Sequence, residues 1–191
     1  LVGSEMCIRD SFDGLWVLGG PMDVWQEQDY PWLKKEKAFI KMAVEEKGIP
    51  FLGLCLGHQL LAESLGGVVG KSETAEVGVM EVQLTEEGAS GILFDGIPEK
   101  ISCLQWHGAE IKKLPVGAKV LATSKDCAVQ AMSWGPRAYS MQFHVEIEHS
   151  TIADWSTISE YADSLKAALG PSGQEKLEKD CAVHMLSLIH I

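Results

Sequence analysis

The sequence predicts an α/β protein with a mostly parallel sheet and helices on both faces. Short, fully apolar runs at 14–18 and 50–54 are typical of buried strands. Between them, apolar residues recur at helical spacing over 31–47, which predicts an amphipathic helix. A strand, a helix and a strand in this order form a βαβ unit with parallel strands and a right-handed crossover.

The elements of this unit have clear boundaries in the sequence. The first strand is followed by Gly19, Gly20 and Pro21, which predict a tight loop. The helix is followed by Gly48, at the position where a helix C-cap belongs. A second helix is predicted over 55–65, directly after the second strand, because leucines recur on one face of it.

The rest of the chain predicts strands and then a helix. The last two strands are joined by a Gly-Pro-Arg link at 135–137, which favours an antiparallel hairpin. Apolar residues recur every three or four positions from 151 to 169, which predicts a helix that ends at Gly170. The strands are expected near 79–84, 101–106, 119–123, 128–134 and 138–143.

The composition fits one globular domain with a small molecule or another protein as its partner. The chain has 191 residues, of which 46% are hydrophobic and 23% are charged. Its formal net charge of -11 disfavours attraction to nucleic acid or to anionic lipid. No apolar run approaches the ~18 residues of a membrane span. We therefore expect a cytoplasmic protein that binds neither nucleic acid nor a membrane.

The cysteines argue against a disulfide framework and against a zinc site. There are five, an odd number, and none forms a C-x-x-C pair. A reducing compartment is expected, with no metal and no cofactor. The cysteines are Cys7, Cys55, Cys103, Cys127 and Cys181.

The two ends of the chain differ from the rest. Residues 1–10 and 185–191 have no clear periodicity and resemble translated sequencing-library adapter, so we expect non-native termini. An internal fragment with ordinary frayed ends is the alternative. The interpretable domain is expected to span 12–170 as a single unit.

Cys55 is the first candidate catalytic residue. The segment 53–57, Gly-Leu-Cys-Leu-Gly, has the spacing of a nucleophile elbow, in which a strand turns sharply into a helix. Glycines are needed there because the turn crowds neighbouring backbone. The helix N-terminus favours a thiolate, and the N–H of Leu56 is placed to donate to an oxyanion. A buried, inert cysteine is the alternative.

His144 and Glu146 provide the groups that a thiolate nucleophile requires. A general base is normally a histidine held by a carboxylate. Both residues follow the end of a predicted strand, and strand ends gather at one edge of an α/β sheet, so His144 can meet Cys55. On an extended segment the two side chains point to the same side. Taken alone, a His-x-Glu segment is more often an ordinary surface pair.

Three motifs together resemble those of class I glutamine amidotransferases. They are Gly-Gly-Pro at 19–21, Gly-Leu-Cys-Leu-Gly-His-Gln at 53–59 and Gln-Phe-His-Val-Glu at 142–146. The resemblance runs from about residue 12 to residue 170. Glu-Val-Gly at 76–78 and Gln-Trp-His-Gly at 105–108 are similar to stand-alone members that resemble the glutaminase domain of GMP synthase and γ-glutamyl peptidases.

The resemblance implies a flavodoxin-like class I glutaminase fold and a thiol-dependent hydrolase. Cys55 would attack the side-chain amide of glutamine or of a γ-glutamyl compound, releasing ammonia and leaving a thioester. His144 would shuttle the proton and Glu146 would orient the imidazole. The ammonia would pass to a synthetase on another chain, or the enzyme would act alone.

The resemblance also implies which residues face the substrate. Backbone N–H groups of Leu56 and Gly20 would hold the oxyanion, and Gln59 would recognise the amide. Residues 106–108 would bind the amino-acid end, mostly through backbone. Trp106 as a core residue and His107 as a structural histidine are the alternatives. The full set is Gly19, Gly20, Leu56, Gln59, Trp106, His107 and Gly108.

Two departures from the family pattern support an alternative function. Val145 stands where the family commonly has proline, so we expect His144 to be held less rigidly. The resemblance implies an amino-terminal βαβ portion before residue 14, which we expect to be missing here, so that the first strand becomes an apolar edge. The alternative is a non-catalytic binding or regulatory module that retains the fold. A thiol sensor, which would not need His144 and Glu146, is a third option.

Overall fold

The structure, a computed structural model, describes residues 12–148 and 150–185. Its strands are β1 (Leu15–Val17), β2 (Phe51–Leu54), β3 (Val68–Leu84), β4 (Lys100–Lys113), β5 (Ala118–Thr123), β6 (Ala131–Trp134) and β7 (Ala138–Met141). Its helices are α1 (Trp32–Lys41), α2 (Leu56–Ser64), α3 (Glu86–Ala89), α4 (Thr151–Trp155), α5 (Ser159–Leu169) and α6 (Gly173–His184). A π-helical turn (Met42–Glu46) follows α1, and a 3₁₀ turn (Ile92–Phe94) follows α3.

The strands form one mixed sheet in the order β1-β2-β7-β6-β5-β3-β4. β1 pairs parallel to β2, as the βαβ prediction requires, and β2 pairs parallel to β7. The remaining pairings are antiparallel, including the predicted β6–β7 hairpin. Antiparallel pairing is more extensive than the sequence indicates, because short connections rather than helical crossovers join the later strands.

Helices cover both faces of the sheet, as predicted. α1 and α2 bury a core with the sheet that includes Leu33, Leu60 and Met132. On the opposite face, α3 and the 3₁₀ turn cover a second core that includes Phe94 and Phe143. Because successive residues of a strand face opposite sides, β2 contributes to both cores. Its carboxyl end is therefore held firmly between two packed layers.

Several boundaries differ from the predicted ones. β3 and β4 are much longer than the predicted strands near 79–84 and 101–106, because they form a ribbon whose charged and small residues hide its periodicity. The predicted helix 151–169 is two helices, since Ile158 has extended backbone between them. α6 follows Gly170 and packs Leu177 and Cys181 into a third apolar core, which also contains residues of β3, β4, α4 and α5. The packed structure thus continues beyond the predicted limit at residue 170.

The ends and the first strand bear on two further expectations. Residues 1–10 and 186–191, expected to be non-native, lie outside the described residues, whereas Met185 is described and buried. β1 is the edge strand of the sheet, and Trp16 on it and Leu18 just after it are 61% and 54% exposed. Within 12–148 and 150–185, no helix has the length and hydropathy needed to cross a membrane.

The contact between α2 and the sheet depends on Gly57. A Cβ at Gly57 would overlap the carbonyl oxygen of Val17, so α2 approaches β1 more closely than any side chain allows. A Cβ at Gly53 would lie 2.6 Å from the carbonyl oxygen of Gly57. Both glycines of the predicted elbow are therefore required by close backbone contact, as the sequence indicates.

Replacing Gly57 with alanine is expected to destabilise the fold. Overpacking of this kind typically destabilises by about 1–3 kcal/mol, which would lower the melting temperature by roughly 5 °C. Gly14→Ala is the matched control, because a Cβ there would meet only the carbonyl oxygen of Pro50 at 3.8 Å. Thermal melting of both variants checks this prediction, and equal melting temperatures would contradict it.

Candidate active site

Cys55 lies at the junction between β2 and α2 with an unusual backbone conformation. Its φ is 51° and its ψ is -106°, and it is the only non-glycine residue of the described ranges with positive φ. Such a conformation costs about 1–3 kcal/mol and persists only where surrounding contacts impose it. The N–H of Cys55 donates to the carbonyl oxygen of Met141 at 2.9 Å, and its own carbonyl oxygen accepts from His58 at 3.0 Å. These bonds hold the elbow.

His144 approaches Cys55 from the end of β7. Its N–H donates to the carbonyl oxygen of Leu104 at 2.9 Å, which fixes its backbone against β4. A Cβ at Gly19 would lie 3.3 Å from Cβ of Cys55 and 3.4 Å from Cε1 of His144. The glycine-rich loop after β1 therefore adjoins both side chains. The structure thus brings together the three segments that carry the motifs.

Glu146 holds the imidazole of His144. Its Oε1 lies 2.7 Å from Nδ1 of His144, and its Oε2 accepts from the backbone N–H of Val145 at 2.9 Å. The N–H that valine provides, and that proline would lack, therefore helps to fix the carboxylate. The looser hold on His144 that Val145 predicts stays a prediction, and this bond acts against it.

The imidazole is also confined by packing. His144 is 1% exposed, and the edge of its ring contacts Trp155, with 4.7 Å between the ring centroids. Trp155 in turn stacks on Tyr161 from α5. The ring therefore has a single orientation, with Nδ1 toward Glu146.

The electrostatics of this group favour the charged imidazole. Burial alone would lower the pKa of His144, but the thiolate form of Cys55 and the carboxylate of Glu146 lie beside it and raise the pKa. Burial would raise the pKa of Glu146, but its hydrogen bond with His144 lowers it. The arrangement therefore favours a protonated imidazole at His144, beside Cys55 and the carboxylate of Glu146.

A cleft of about 170 Å³ opens beside Cys55. Six of the seven predicted substrate-facing residues line this cleft. The seventh, Gly19, does not line it but lies against the side chain of Cys55. The six are Gly20, Leu56, Gln59, Trp106, His107 and Gly108.

The side chains of three of these residues already bond to the protein. Nε2 of Gln59 donates to Oε1 of Gln142 at 3.1 Å. Nε1 of Trp106 donates to the hydroxyl of Ser164 at 2.8 Å, so this residue is both core and cleft wall. The ring of His107 faces the carbonyl oxygen of Ala109 and the carboxylate of Glu76. His107 therefore lines the cleft while its ring serves the interior.

Other residues of the cleft were not predicted. α5 contributes Glu160, Tyr161 and Ser164, because this helix packs over the cleft mouth. The helical spacing of Tyr161 predicted a core residue, but spacing alone does not separate a core residue from a cleft residue. Burial raises the pKa of Tyr161, as do the negative charges of Cys55 and Glu146. The remaining unpredicted residues are Pro21, Met22, Asp23, Ala75, Val77 and Ala109.

His58 takes no part in this group of charges. It is fully buried, and its ring nitrogens lie 2.8 Å from Oγ of Ser140 and 3.2 Å from the carbonyl oxygen of Val129. Burial lowers its pKa to about 3, so the ring is neutral at pH 7. In the described part of the chain, no group of three or more His, Cys, Asp or Glu side chains is arranged to hold a metal ion.

Comparisons with known proteins identify the family of this chain. The family model of class I glutamine amidotransferases matches residues 4–155. One relative, a subunit of the glutamine-hydrolyzing GMP synthase of Thermococcus kodakarensis, is 41% identical over 107 residues, which cover 56% of this chain and 55% of the relative. The glutamine-hydrolyzing GMP synthase of Clostridium novyi is 34% identical over 176 residues, covering 83% of this chain and 32% of the relative.

A solved structure gives the same result. A glutamine amidotransferase from Thermotoga maritima superposes with a TM-score of 0.73 at 32% identity, covering 86% of this chain and 69% of that one. The predicted fold class is thereby confirmed. This chain spans about half the length of the archaeal relatives that it matches. Because the family model covers most of its residues, the chain belongs to the class I glutamine amidotransferase family.

Proposed function

We propose that this protein hydrolyses the side-chain amide of glutamine, or of a related γ-glutamyl compound, through a Cys55, His144 and Glu146 triad. The observation that carries the proposal is the elbow at Cys55, whose φ of 51° directs the thiol to the cleft beside a buried imidazole. Glu146 holds that imidazole at 2.7 Å. A nucleophile, a base and a group that orients the base are the parts that acyl transfer requires.

In the first half of the reaction, the sulfur of Cys55 attacks the carbon of the substrate amide and forms a C–S bond. Negative charge develops on the amide oxygen, toward which the backbone N–H groups of Leu56 and Gly20 would donate. Leu56 and Gly20 both line the cleft, which supports this role. His144 gives its proton to the leaving nitrogen, the C–N bond breaks, and ammonia departs from a γ-glutamyl thioester.

In the second half, water replaces ammonia. His144, now neutral, takes a proton from the water while the water oxygen attacks the thioester carbon. The C–S bond breaks, glutamate leaves, and the thiolate and imidazolium are restored. Glu146 stabilises the imidazolium in both steps, since its carboxylate remains bonded to Nδ1.

The destination of the ammonia is a separate proposal. Relatives with a comparable sequence are named as glutamine-hydrolyzing GMP synthase or as one of its subunits. We propose that a synthetase on a partner chain receives the ammonia from this protein. Glutaminase activity that rises on addition of such a partner would support transfer, and full activity of the chain alone would support a free hydrolase.

The amide hydrolysis is tested by release of glutamate and ammonia from glutamine and from γ-glutamyl peptides. Cys55→Ala is expected to abolish release, because no other nucleophile is proposed to form the thioester. Cys103→Ala is the matched control, since that cysteine is fully buried in the core and burial raises the pKa of its thiol to about 12.

The results separate the proposed functions of the site. Release by the wild type that persists in Cys55→Ala would contradict the thiol mechanism. No release from a wild-type chain with a cooperative thermal transition, even with partner present, would favour the binding module.

The charge arrangement is tested by titrating His144 with NMR of its imidazole. In the wild type the raised pKa keeps the ring protonated through neutral pH. Cys55→Ala removes one of the two negative charges that raise it, so the pKa of His144 is expected to fall and the ring to lose its proton at lower pH. An unchanged pKa in Cys55→Ala would contradict the proposed thiolate–imidazolium pair.

A further inference from the structure

A second buried Glu–His pair lies next to the cleft and takes no part in the proposed chemistry. Glu76 on β3 and His107 on β4 are direct partners in the antiparallel ladder. Oε2 of Glu76 lies 3.0 Å from Nε2 of His107, and both side chains are 2% exposed. Nε2 of His107 has no aligned hydrogen-bond partner, so the ring and the carboxylate are in polar contact by distance. Buried ionisable side chains require such partners.

Donors from another segment surround the same carboxylate. The hydroxyl of Ser124 donates to Oε1 of Glu76 at 2.6 Å, and Nε2 of Gln130 donates to Oε2 at 2.7 Å. The backbone N–H of Cys127 donates in turn to Oγ of Ser124 at 3.0 Å. Burial opposes the charged form of Glu76, but His107, Ser124 and Gln130 together lower its pKa. Glu76 therefore joins β3, β4 and the loop before β6.

The link from Glu76 to the cleft runs through His107. Nδ1 of His107 lies 2.9 Å from the carbonyl oxygen of Ala109, so the ring connects Glu76 to the backbone two residues further along β4. Trp106, Gly108 and Ala109 line the cleft on either side of this ring. The β3–β4 register is interrupted between Lys71 and Glu76, so Glu76 is the first ladder position after the irregularity. β4 is the last strand in the order of the sheet, so main-chain pairing with a neighbouring strand supports the cleft wall from the β3 side only.

We propose that Glu76 is a positioning residue for the substrate side of the cleft and acts through His107. This positioning role rests on the proposed function, because the cleft wall at 106–109 has a role only if a substrate binds there. The charge of Glu76 holds the ring, and the ring holds the backbone that faces the ligand. A pocket wall displaced by a fraction of an ångström binds a small polar ligand less tightly. Glu76 does not contact the thiol or the imidazole of His144, so reactivity at Cys55 is independent of it.

A buried Glu–His contact is not needed for stability alone. Apolar side chains of similar volume often stabilise a core as well as a buried pair does. A carboxylate held by two side-chain donors and in contact with a buried imidazole instead fixes one arrangement of the strands that it joins. This argument favours positioning over packing as the role of Glu76.

The test compares two alkylating reagents on Cys55 of the full chain. A diazoketone analogue of glutamine, 6-diazo-5-oxonorleucine, must occupy the cleft before it reacts. The imidazolium of His144 gives its proton to the diazo carbon, N₂ leaves, and the sulfur of the Cys55 thiolate bonds to that carbon. Iodoacetamide reports the reactivity of Cys55 without needing the substrate wall. Rates measured over a range of diazoketone concentrations give the half-saturating concentration and the maximal rate separately.

In Glu76→Gln, which keeps the shape and removes the charge, the half-saturating concentration is expected to rise about tenfold. The maximal rate and the iodoacetamide rate are expected to change less than about twofold. Ser124→Ala is the matched control, because it removes a bond to the other oxygen of Glu76 and leaves the contact with His107 in place. It is expected to leave the half-saturating concentration unchanged even where it lowers the melting temperature.

Each outcome has one meaning. An unchanged half-saturating concentration in folded Glu76→Gln, or an equal rise in Ser124→Ala, would overturn the positioning role and leave the proposed function intact. Should Glu76→Gln not fold, His107→Asn removes the same contact from the other strand and is expected to give the same rise. A wild type that the diazoketone labels without saturation would overturn the proposed glutamine site, and the positioning role with it.

Discussion

The backbone conformation of Cys55 is the constraint on which the rest of the site depends. A residue with positive φ and a side chain is strained, and the strain is imposed by two close approaches of α2. Gly57 lets the helix contact β1, and Gly53 lets it turn back on β2. The same geometry directs the thiol to the cleft and the start of α2 to the sulfur. The same backbone contacts therefore pack α2 against the sheet and place the thiol at the cleft.

The described residues contain two Glu–His pairs with different uses, and the neighbours of each pair decide its role. Nδ1 of His144 bonds to Glu146, and the ring also adjoins the thiol of Cys55. Both nitrogens of His107 face protein acceptors, so no ring atom is left for chemistry. One histidine can therefore move a proton, and the other can only hold a position. A residue type at the cleft does not by itself assign the role.

Features that depend on local contacts could be predicted from the sequence, whereas those that depend on distant packing could not. The elbow could be predicted because the spacing of Gly53, Cys55 and Gly57 records contacts within a few residues. The meeting of Cys55 with His144 followed from a general rule about strand ends. The cleft residues of α5 could not be predicted, because the packing of that helix over the site depends on long-range contacts. The presence of an N–H at Val145 could be read from the sequence, but its acceptor, the carboxylate of Glu146, could not, because residue types do not show which acceptor a backbone donor meets.

Strain at residue 55 is retained for the position of the thiol, and one comparison tests this claim most directly. Cys55→Gly and Cys55→Ala both remove the sulfur, but only glycine adopts positive φ without strain. Relief of about 1–3 kcal/mol outweighs the smaller entropy loss of glycine. The glycine variant is therefore expected to melt at a higher temperature than the alanine variant. An alanine variant that is equally or more stable would contradict the claim that the fold strains this residue.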